Sequence, residues 1–311
     1  MTKRVGKVII AGGSGFLGQK LAFSLIQENL EVIVLGRNNK PRLRGKFIQW
    51  DAKTLGAWSE ELENASALFN LTGHSVDCRY TEENKSLILN SRVNSTKVLG
   101  EAIRLCENPP SVWLNASTAT LYNDRRGELP PHDEYSEGNA EGFSEEVGRA
   151  WEKAFFDASD ERVRQVVMRI SIVLGTEGGA FPVMRRLTRF GLGGKQGSGK
   201  QWISWLHTDD WLGITKFLMK NSSISGPVNL AAPNPVTNQD FMRKMREAFA
   251  PIGIGLPAPT PAIYLGAIFL GTAPELVLKS RKVISSVLSV NDFQFNFPEI
   301  QSAINSFKKS C

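Results

Sequence analysis

The chain has 311 residues and a mass of 34.3 kDa, enough for one large domain or two ordinary ones with a buried core. Its 41% hydrophobic and 22% charged residues are typical of globular proteins and exclude disordered, collagen-like and coiled-coil classes. The net charge of +6 comes from scattered basic residues that form no arm, so it suits a small phosphate-bearing ligand better than nucleic acid.

The cysteines and the apolar stretches point to a cellular compartment. Cys78, Cys106 and Cys311 are an odd number at unrelated spacings, which favours a reducing compartment over a disulfide framework and indicates no metal site. The most apolar stretch, residues 262–278, is interrupted by two glycines, a proline and a glutamate. A membrane span needs roughly 20 apolar residues. We therefore predict a cytoplasmic protein with no membrane partner.

The first predicted element is a strand. The apolar run VGKVIIA at residues 5–11 is typical of a buried parallel strand, and GGSGFLG follows it with Gly12, Gly15 and Gly18 in G-x-x-G-x-x-G spacing. Apolar residues then recur at helical spacing through Gln27. In a dinucleotide site the first glycine permits the turn, the second lets amides approach a pyrophosphate and the third lets helix pack on strand. A purely structural turn is the alternative.

The second predicted strand, EVIVLGR at residues 31–37, bears on cofactor choice. It ends at Gly36 and Arg37, where an NAD-preferring site carries an acidic residue for the ribose 2′-hydroxyl. A guanidinium pairs with a 2′-phosphate, whereas a carboxylate would repel it. The sequence therefore predicts NADP(H) as cofactor. The alternative is that Arg37 belongs to a solvated basic turn.

Strand-like and helix-like segments continue to alternate. KFIQWD ends at Asp51, ALFNLTG at Gly73 and SVWLNAST at Thr118, with a helical stretch over residues 87–105. This order predicts an α/β fold with a Rossmann-type doubly wound parallel sheet and a smaller C-terminal substrate region. Ligands of such sheets lie beyond the C-terminal strand ends. The residues expected at that crevice are Asp51, Leu71, Thr72, Gly73, Ser117 and Thr118.

A larger set of strings occurs in order along nearly the whole chain: GGSGFLG, NLTG, RYTEENKSLILNSRVNST, NASTATLY, FSEEVGRAWEKA, RISIVLGTEGGAF, GSGKQWISWLHTDD, GPVNLAAPNPVTN and a segment that begins near Pro257. Together they resemble the epimerase-like subgroup of atypical extended short-chain dehydrogenase/reductases, whose members carry a C-terminal domain of unknown function. The resemblance implies an NADP(H)-binding, epimerase-like oxidoreductase that acts on a small polar, sugar-related substrate.

The resemblance also implies cofactor-binding residues by position. Arg37 takes the NADP phosphate, Asp51 accepts from the adenine amino group, and Arg92 borders the site unless it is a surface helix charge. The remaining cofactor positions are Gly12, Ser14, Gly15, Phe16, Leu17, Gly18, Leu71, Thr72, Gly73, Ser117, Ile172, Val173 and Leu174.

One feature of the wider superfamily is missing. Short-chain dehydrogenases use a Tyr whose phenol is tuned by a Lys four residues later. No such pair occurs here, because Asn84, Arg126, Asn139 and Ile268 stand four residues after the tyrosines Tyr80, Tyr122, Tyr135 and Tyr264. The resemblance places Phe143 and Val147 at the relay positions. The predicted catalytic residues are instead Ser117, Thr118, Tyr122 and His207, with His74 or water as other proton sources.

The glycine-rich stretch GLGGKQGSGKQWISWLHTDDW predicts a lid or a tightly turned loop beside the substrate. Lys195 and Gln201 suit an anionic substrate, and Trp202 suits a ring. His74 follows a strand end and is assigned to the substrate as well. For Trp205 we favour packing, and the helix that follows leaves open that His207 stands beside an N-cap at Thr208 or Asp209.

These observations predict a cofactor domain over residues 1–175, with a returning strand near residues 228–233, and a substrate-binding region over residues 176–311. The predicted partner is a small-molecule substrate, and a homodimer stays open. Because the usual relay is missing, a non-catalytic NADP(H) sensor or scaffold and an RNA-binding derivative are the alternative functions.

Overall fold

A computed structural model of the protein describes residues 6–270 and 273–309; Val5, predicted to begin the first strand, and Cys311 lie outside them. The strands are β1 Lys7–Ala11, β2 Glu31–Gly36, β3 Lys46–Gln49, β4 Ala67–Asn70, β5 Val112–Thr118, β6 Arg164–Ile170, β7 Ile172–Leu174, β8 Trp202–Ile203, β9 Trp205–His207, β10 Gly226–Leu230 and β11 Val236–Thr237. The helices are α1 Phe16–Gln27, α2 Glu82–Leu105, α3 Phe143–Asp157, α4 Phe181–Arg189, α5 Thr208–Lys220, α6 Asn238–Phe249, α7 Thr260–Leu270, α8 Glu275–Leu278, α9 Ser286–Val290 and α10 Ile300–Lys309.

The central sheet has seven strands in the order β10-β6-β5-β4-β1-β2-β3, and all its pairs are parallel. This confirms the predicted Rossmann-type fold class. The chain winds outward from β1 in one direction and from β4 in the other, so the switch point lies between these two strands. Ligands of doubly wound sheets bind at that point, where the strands end.

Helices cover both faces of the sheet, which explains why β1 is apolar on both sides. Val8 and Ile10 pack towards α1, α5, α6 and α10, while Ile9 and Ala11 pack towards α2 and α3. Helix α2 starts five residues before the predicted helical stretch because the Thr81 hydroxyl accepts from the Asn84 amide and caps it.

The two predicted regions share one hydrophobic core. Leu21 and Leu25 of α1 belong to the same buried cluster as Trp211 of α5, Phe241 of α6 and Ile304 of α10. The returning strand is β10, which pairs with β6 at the sheet edge and begins two residues before its predicted start. The part of the chain after residue 175 therefore completes one layer of the Rossmann unit.

Two smaller strand pairs lie outside the central sheet. β7 pairs with β9 in parallel, and β8 pairs with β11 in antiparallel. The segment after α8 then returns to the strand ends: Lys279 and Arg281 contact Glu145 of α3, and the Ile284 carbonyl accepts from Asn229 of β10. None of the helices in the described residues is long and apolar enough to cross a bilayer.

Candidate functional site

The glycine turn leads directly into α1 at the switch point. Gly12 has a φ of +73°, and a Cβ there would lie 2.8 Å from the Leu71 carbonyl, so only glycine fits. A Cβ on Gly18 would lie 2.5 Å from Gly13, which brings the helix against the turn. Gly15 differs, because it is exposed and a Cβ there would meet only the Gly12 carbonyl at 3.6 Å. The turn is therefore closely packed at Gly12 and Gly18 and open to solvent at Gly15.

The open side of the turn exposes the start of α1. Gly15 is the N-cap and has no side chain to cap the helix. The first amides of an α-helix have no partner within the helix, and the helix dipole favours an anion near them. The amides of Phe16, Leu17 and Gly18 therefore form a site suited to a pyrophosphate. The Phe16 ring lies against Gly175 and Gly178, where a Cβ would come within 2.6 Å of it.

The segment after β4 forms the other wall of the switch point. The Leu71 amide donates to the Ala11 carbonyl and the Thr72 amide to Asn70 Oδ1. The Thr72 hydroxyl is buried and has no hydrogen-bond partner among the described residues. Such a group costs roughly 1–3 kcal/mol unless something satisfies it. A ligand oxygen lying in this crevice would do so.

The end of β2 is basic and lies beside the glycine turn. A Cβ on Gly36 would lie 3.8 Å from the Ser14 hydroxyl, which places Arg37 next to the turn. Arg37 and Lys40 are both exposed, and Lys40 Nζ donates to the Ser14 carbonyl at 3.3 Å. From residue 32 to residue 50 the chain contains no acidic residue. This corner therefore presents cations where an adenosine phosphate would lie.

Asp51 lies on the same side in a turn of its own. Its Oδ1 accepts from the amides of Lys53 and Thr54, and its Oδ2 from the Thr54 hydroxyl. These hydrogen bonds, the Thr54 amide first, lower the pKa of the carboxyl. Asp51 is exposed and ionised, with acceptor capacity left over for an exocyclic amine.

Arg92 reaches from α2 to the floor of the crevice. Its Nη1 donates to the carbonyls of His74 and Ile88, and its guanidinium lies 5.1 Å from the centroid of the Trp151 ring. No carboxylate pairs with Arg92 in the part of the chain that the structure describes. Burial lowers its pKa to about 10. A side chain at Gly73 would approach the guanidinium to 3.0 Å, so Gly73 leaves it uncovered.

Two of the predicted catalytic hydroxyls belong to a buried network. The Ser117 hydroxyl donates to Glu152 at 2.6 Å, and Arg169 donates to both oxygens of Glu152. Arg169 also donates to the Tyr122 hydroxyl, which in turn donates to Asn229 Oδ1 at 2.9 Å. The protons of Ser117 and Tyr122 are therefore already donated, and burial raises the pKa of the Tyr122 phenol. Neither residue is placed to protonate a substrate.

Thr118 is the strand-end hydroxyl that stays available. It is half-buried, caps the 3₁₀ turn at Ala119–Leu121 by accepting from the Thr120 amide, and is hydrogen-bonded to the Thr120 hydroxyl at 2.9 Å, where either oxygen can donate. A rotating hydroxyl keeps acceptor and donor capacity beyond these contacts. Thr118 can therefore position a substrate oxygen.

His207 has a structural role, and its surroundings do not support the catalytic prediction. It is the N-cap of α5: its Nδ1 accepts from the Asp209 amide, and its Nε2 donates to the Ser306 hydroxyl. The ring is stacked between Phe297 and Phe307. Burial lowers its pKa to about 4, so the imidazole is neutral at pH 7 and both its nitrogens are occupied.

The predicted substrate residues do not share one environment. Gln201 is buried and its amide donates to the Gln196 and Val277 carbonyls, so it supports the loop and does not reach a ligand. Trp202 is half-buried: its indole N–H donates to the Gly127 carbonyl, and Lys282 lies 4.2 Å from its ring centroid. Lys195 is exposed. His74 is anchored to α2 through its amide, which donates to Ser91.

The stretch predicted as a lid is a tightly turned loop. Gly197 and Gly199 have positive φ, and the Leu256 amide donates to the Gly191 carbonyl at 2.7 Å. Trp205 is fully buried and donates to the Asn234 carbonyl, as its packing interpretation predicts. In β7 the side chains of Val173 and Leu174 are buried, so only Ile172 exposes its side chain to solvent.

The relay positions are filled by residues that cannot titrate. Val147 is buried, and Phe143 begins α3 with its ring edge-on to Tyr80 at 5.1 Å between centroids. Tyr80 lies just before the N-cap of α2. It was not among the predicted site residues. The sequence feature that could have identified it is its place in the loop after β4, where ligands of such sheets bind.

Comparison with known proteins decides the family. Residues 8–231 match the NAD dependent epimerase/dehydratase family, and residues 259–307 match a domain of unknown function, DUF1731. The chain belongs to the NAD dependent epimerase/dehydratase family. The resemblance stated from the sequence motifs is confirmed, with the epimerase region ending at β10.

This epimerase-family chain is similar to proteins of bacteria and humans. It is 30% identical to the epimerase family protein YfhF of Bacillus subtilis over 96% of each chain. The solved structure of human epimerase family protein SDR39U1 with NADPH has a TM-score of 0.85, 29% identity and covers 98% of this chain and 100% of its own. A nucleoside-diphosphate sugar epimerase from Corynebacterium glutamicum has a TM-score of 0.76 and 30% identity, covering 96% of this chain and 57% of its own.

Proposed function

We propose that this epimerase-family protein binds NADP(H) at the switch point between β1 and β4 and catalyses an oxidoreductase or epimerase-like reaction on a small polar, sugar-related substrate. The observation that carries the proposal is the open N-terminus of α1 at Gly15, next to a β2 end where Arg37 and Lys40 are exposed and where residues 32–50 include no acidic side chain. A dinucleotide with an additional phosphate matches both features.

The residues that hold the cofactor follow from this placement. The amides of Phe16 and Leu17 bind the pyrophosphate, Arg37 pairs with the 2′-phosphate, and the Thr72 hydroxyl gains the partner that it lacks. When bound, the nicotinamide supplies hydride transfer. Thr118 orients the substrate oxygen beside it. The human SDR39U1 structure, which contains NADPH, supports the choice of cofactor by similarity.

The substrate class rests on the family and on the site. The similarity to a nucleoside-diphosphate sugar epimerase supports a sugar-related substrate. Lys195 is exposed on the tightly turned loop of the C-terminal region. It offers a cation to an anionic group of the substrate. The buried network of Ser117, Glu152 and Arg169 holds the ends of β5 and β6 rigid beneath the reacting atoms.

The test compares cofactors. NADPH should raise the melting temperature more than NADH at equal concentration, since tighter binding to the folded state stabilises it more. Arg37→Ala should weaken NADPH binding by about 10- to 100-fold, because a charge-assisted hydrogen bond is worth roughly 1.5–3 kcal/mol, and should leave NADH binding unchanged. Arg42→Ala is the matched control, since Arg42 is an exposed cation of the same loop.

Equal shifts with NADPH and NADH in the unmodified protein would refute the NADP(H) assignment. The sensor alternative is separated by turnover: NADPH that binds but is never oxidised with any carbonyl or sugar-nucleotide substrate would favour it. A salt-sensitive affinity for RNA, with log K falling as salt rises, would favour the RNA-binding derivative instead.

A further inference from the structure

A tyrosine from another element faces the relay position that Phe143 occupies. Tyr80, in the loop between β4 and α2, lies edge-on to Phe143, with ring centroids 5.1 Å apart and an interplanar angle of 71°. Phe143 is the position where related dehydrogenases carry their proton-relay tyrosine, by the resemblance of the α3 segment. The chain therefore holds a phenol beside the place where the superfamily has one.

The hydroxyl of Tyr80 is buried and makes no well-aligned hydrogen bond within residues 6–270 and 273–309. The Ser144 hydroxyl of α3 lies close enough to lower the pKa of Tyr80, although its own proton is donated to Glu275 at 2.5 Å. Buried hydroxyls are nearly always hydrogen-bonded, so one that is not points to an external acceptor.

A cation accompanies this phenol. Arg92 is half-buried, donates through Nη1 to two backbone carbonyls and has no carboxylate partner within residues 6–270 and 273–309. Burial is the largest effect and raises the pKa of Tyr80, and the guanidinium of Arg92 lowers it by a smaller amount. The other titratable groups around Tyr80 are Glu275 on α8 and Cys78 on its own loop, and both raise that pKa.

A cavity lies against the same residue. It measures about 410 Å³ and lies between the β4–α2 loop and the DUF1731 region. Its lining includes Tyr80 on one side and Tyr264, Ala267, Pro274 and Glu275 on the other. The wall is largely apolar with a few polar groups, which is the character of a small-molecule pocket.

We infer that Tyr80 is the catalytic proton donor to a carbonyl substrate in this cavity, and that Arg92 is the cation that stabilises the phenolate left behind. The inference rests on the proposed function, because the reaction needs NADPH as its reductant. The proton donor and its cation then lie in the β4–α2 loop and on α2, and not on α3. Phe143 and Val147 then serve as packing residues only.

The proton and electrons balance in the reducing direction. The carbonyl carbon of the substrate accepts a hydride from the reduced nicotinamide, and the C=O π pair moves onto oxygen. That oxygen takes the phenolic proton of Tyr80. The Tyr80 phenolate, held beside Arg92, then recovers a proton from water.

The test needs no substrate. Tyrosine labelled with 13C at Cζ gives four resonances in this chain, and Tyr80→Phe identifies the one that belongs to residue 80. NADP+ and NADPH share their phosphates and differ in the positive charge of the oxidised nicotinamide. A phenol at the reacting centre responds to that charge, so its pKa should be lower in the NADP+ complex by at least about one unit.

Matched controls are present in the chain. Tyr135 is exposed, and its resonance, identified with Tyr135→Phe, should have the same pKa in both complexes. Arg92→Met should raise the pKa of Tyr80 measurably in the cofactor-free protein, because the neighbouring cation is lost.

The outcomes separate the inference from the function beneath it. Binding of NADP+ and NADPH with an unchanged Tyr80 pKa would overturn the assignment of Tyr80 and leave the proposed function standing. If neither NADP+ nor NADPH shifts the melting temperature, both the proposed function and the assignment of Tyr80 are overturned. A Tyr80 pKa that falls in the NADP+ complex and rises in Arg92→Met supports the relocated phenol and cation together.

Discussion

The two halves of the crevice treat their polar groups in opposite ways. At the cofactor side, formed by the ends of β4, β1 and β2, the first amides of α1, the Thr72 hydroxyl and Arg37 have no protein partner in the residues described. At the β5–β6 side, Ser117 donates to Glu152, and Tyr122 accepts from Arg169 and donates to Asn229. A side chain of the right type is therefore available to a ligand only where the fold leaves it unpaired.

The difference has an electrostatic cause. Glu152 and Arg169 are both nearly buried, and each would cost several kcal/mol alone, so they pair with two hydrogen bonds and take up the neighbouring hydroxyls. Although burial disfavours its charge, contact with Glu152 raises the pKa of Arg169. Among the described residues, the cofactor side buries no such ion pair. Its hydrogen-bond donors therefore stay unpaired.

The largest expected effect breaks the network. Glu152→Ala leaves a buried guanidinium uncompensated, so the free energy of unfolding should fall by about 3–5 kcal/mol in urea denaturation. Lys153→Ala on the next residue removes only an exposed pair with Asp157 and should change it by roughly 0.5 kcal/mol or less. A loss below about 1 kcal/mol for Glu152→Ala would mean that the network does not tie up Ser117 as strongly as its geometry indicates.

The next largest effect comes from a substitution that blocks the pyrophosphate site. Gly15→Val should fold, because φ is −81° and nothing but a carbonyl lies within 4 Å of its Cβ, yet its side chain would keep the pyrophosphate from the amides. Losing two hydrogen bonds to a charged group, each about 1.5–3 kcal/mol, predicts at least about 100-fold weaker NADP(H) binding by calorimetry.

Gly56→Val is the control, since Gly56 is also an N-cap glycine without a side-chain cap but precedes the 3₁₀ turn at Ala57–Leu62. Its affinity for NADP(H) should match that of the unmodified protein. Full affinity in Gly15→Val with a native melting temperature would remove the glycine turn from the cofactor site.

A smaller effect concerns His207. Its pKa is about 4 in the fold against 6.5 for an unperturbed histidine, so below pH 6.5 the unfolded chain takes up a proton that the folded protein does not. Stability is therefore lost as pH falls from 6.5 towards 4. This group should account for about 2 kcal/mol of the loss between pH 7 and pH 5.

His207→Asn keeps an N-cap acceptor but cannot take up that proton. The variant should be less stable at pH 7 because it lacks the stacked ring, and its deficit should shrink at pH 5. Urea denaturation at both pH values measures this. Parallel pH profiles would contradict the structural role, as would any weakening of NADP(H) binding in the variant.

The smallest effect tests the unpaired hydroxyl. Thr72→Val removes a buried group without a partner, so the cofactor-free protein should gain up to about 1 kcal/mol of stability. Its NADP(H) affinity should drop by about 2- to 10-fold. Thr188→Val is the opposite case: its buried hydroxyl donates to the Met184 carbonyl, so stability should fall and affinity should not change. Equal behaviour of the two variants would place Thr72 outside the cofactor site.

The catalytic half was harder to predict than the cofactor half, although a signal was present. Arg169 interrupts an apolar strand, RQVVMRI, and a charge in a buried strand requires a partner. The sequence does not say that the partner is Glu152, which lies seventeen residues earlier in α3. Without that contact, Ser117 and Tyr122 look like available hydroxyls.

The glycine turn, the alternation of elements and the basic end of β2 could be interpreted from the sequence alone, because each depends on neighbours within a few residues: a positive φ at Gly12, an N-cap at Gly15, a missing acid near Arg37. Only the tertiary structure decided which side chains stay free. His207 lies between two phenylalanines from the C-terminal segment, and Tyr80 meets Phe143 across sixty-three positions. Burial and hydrogen-bond partners come from long-range packing, and no local pattern contains them.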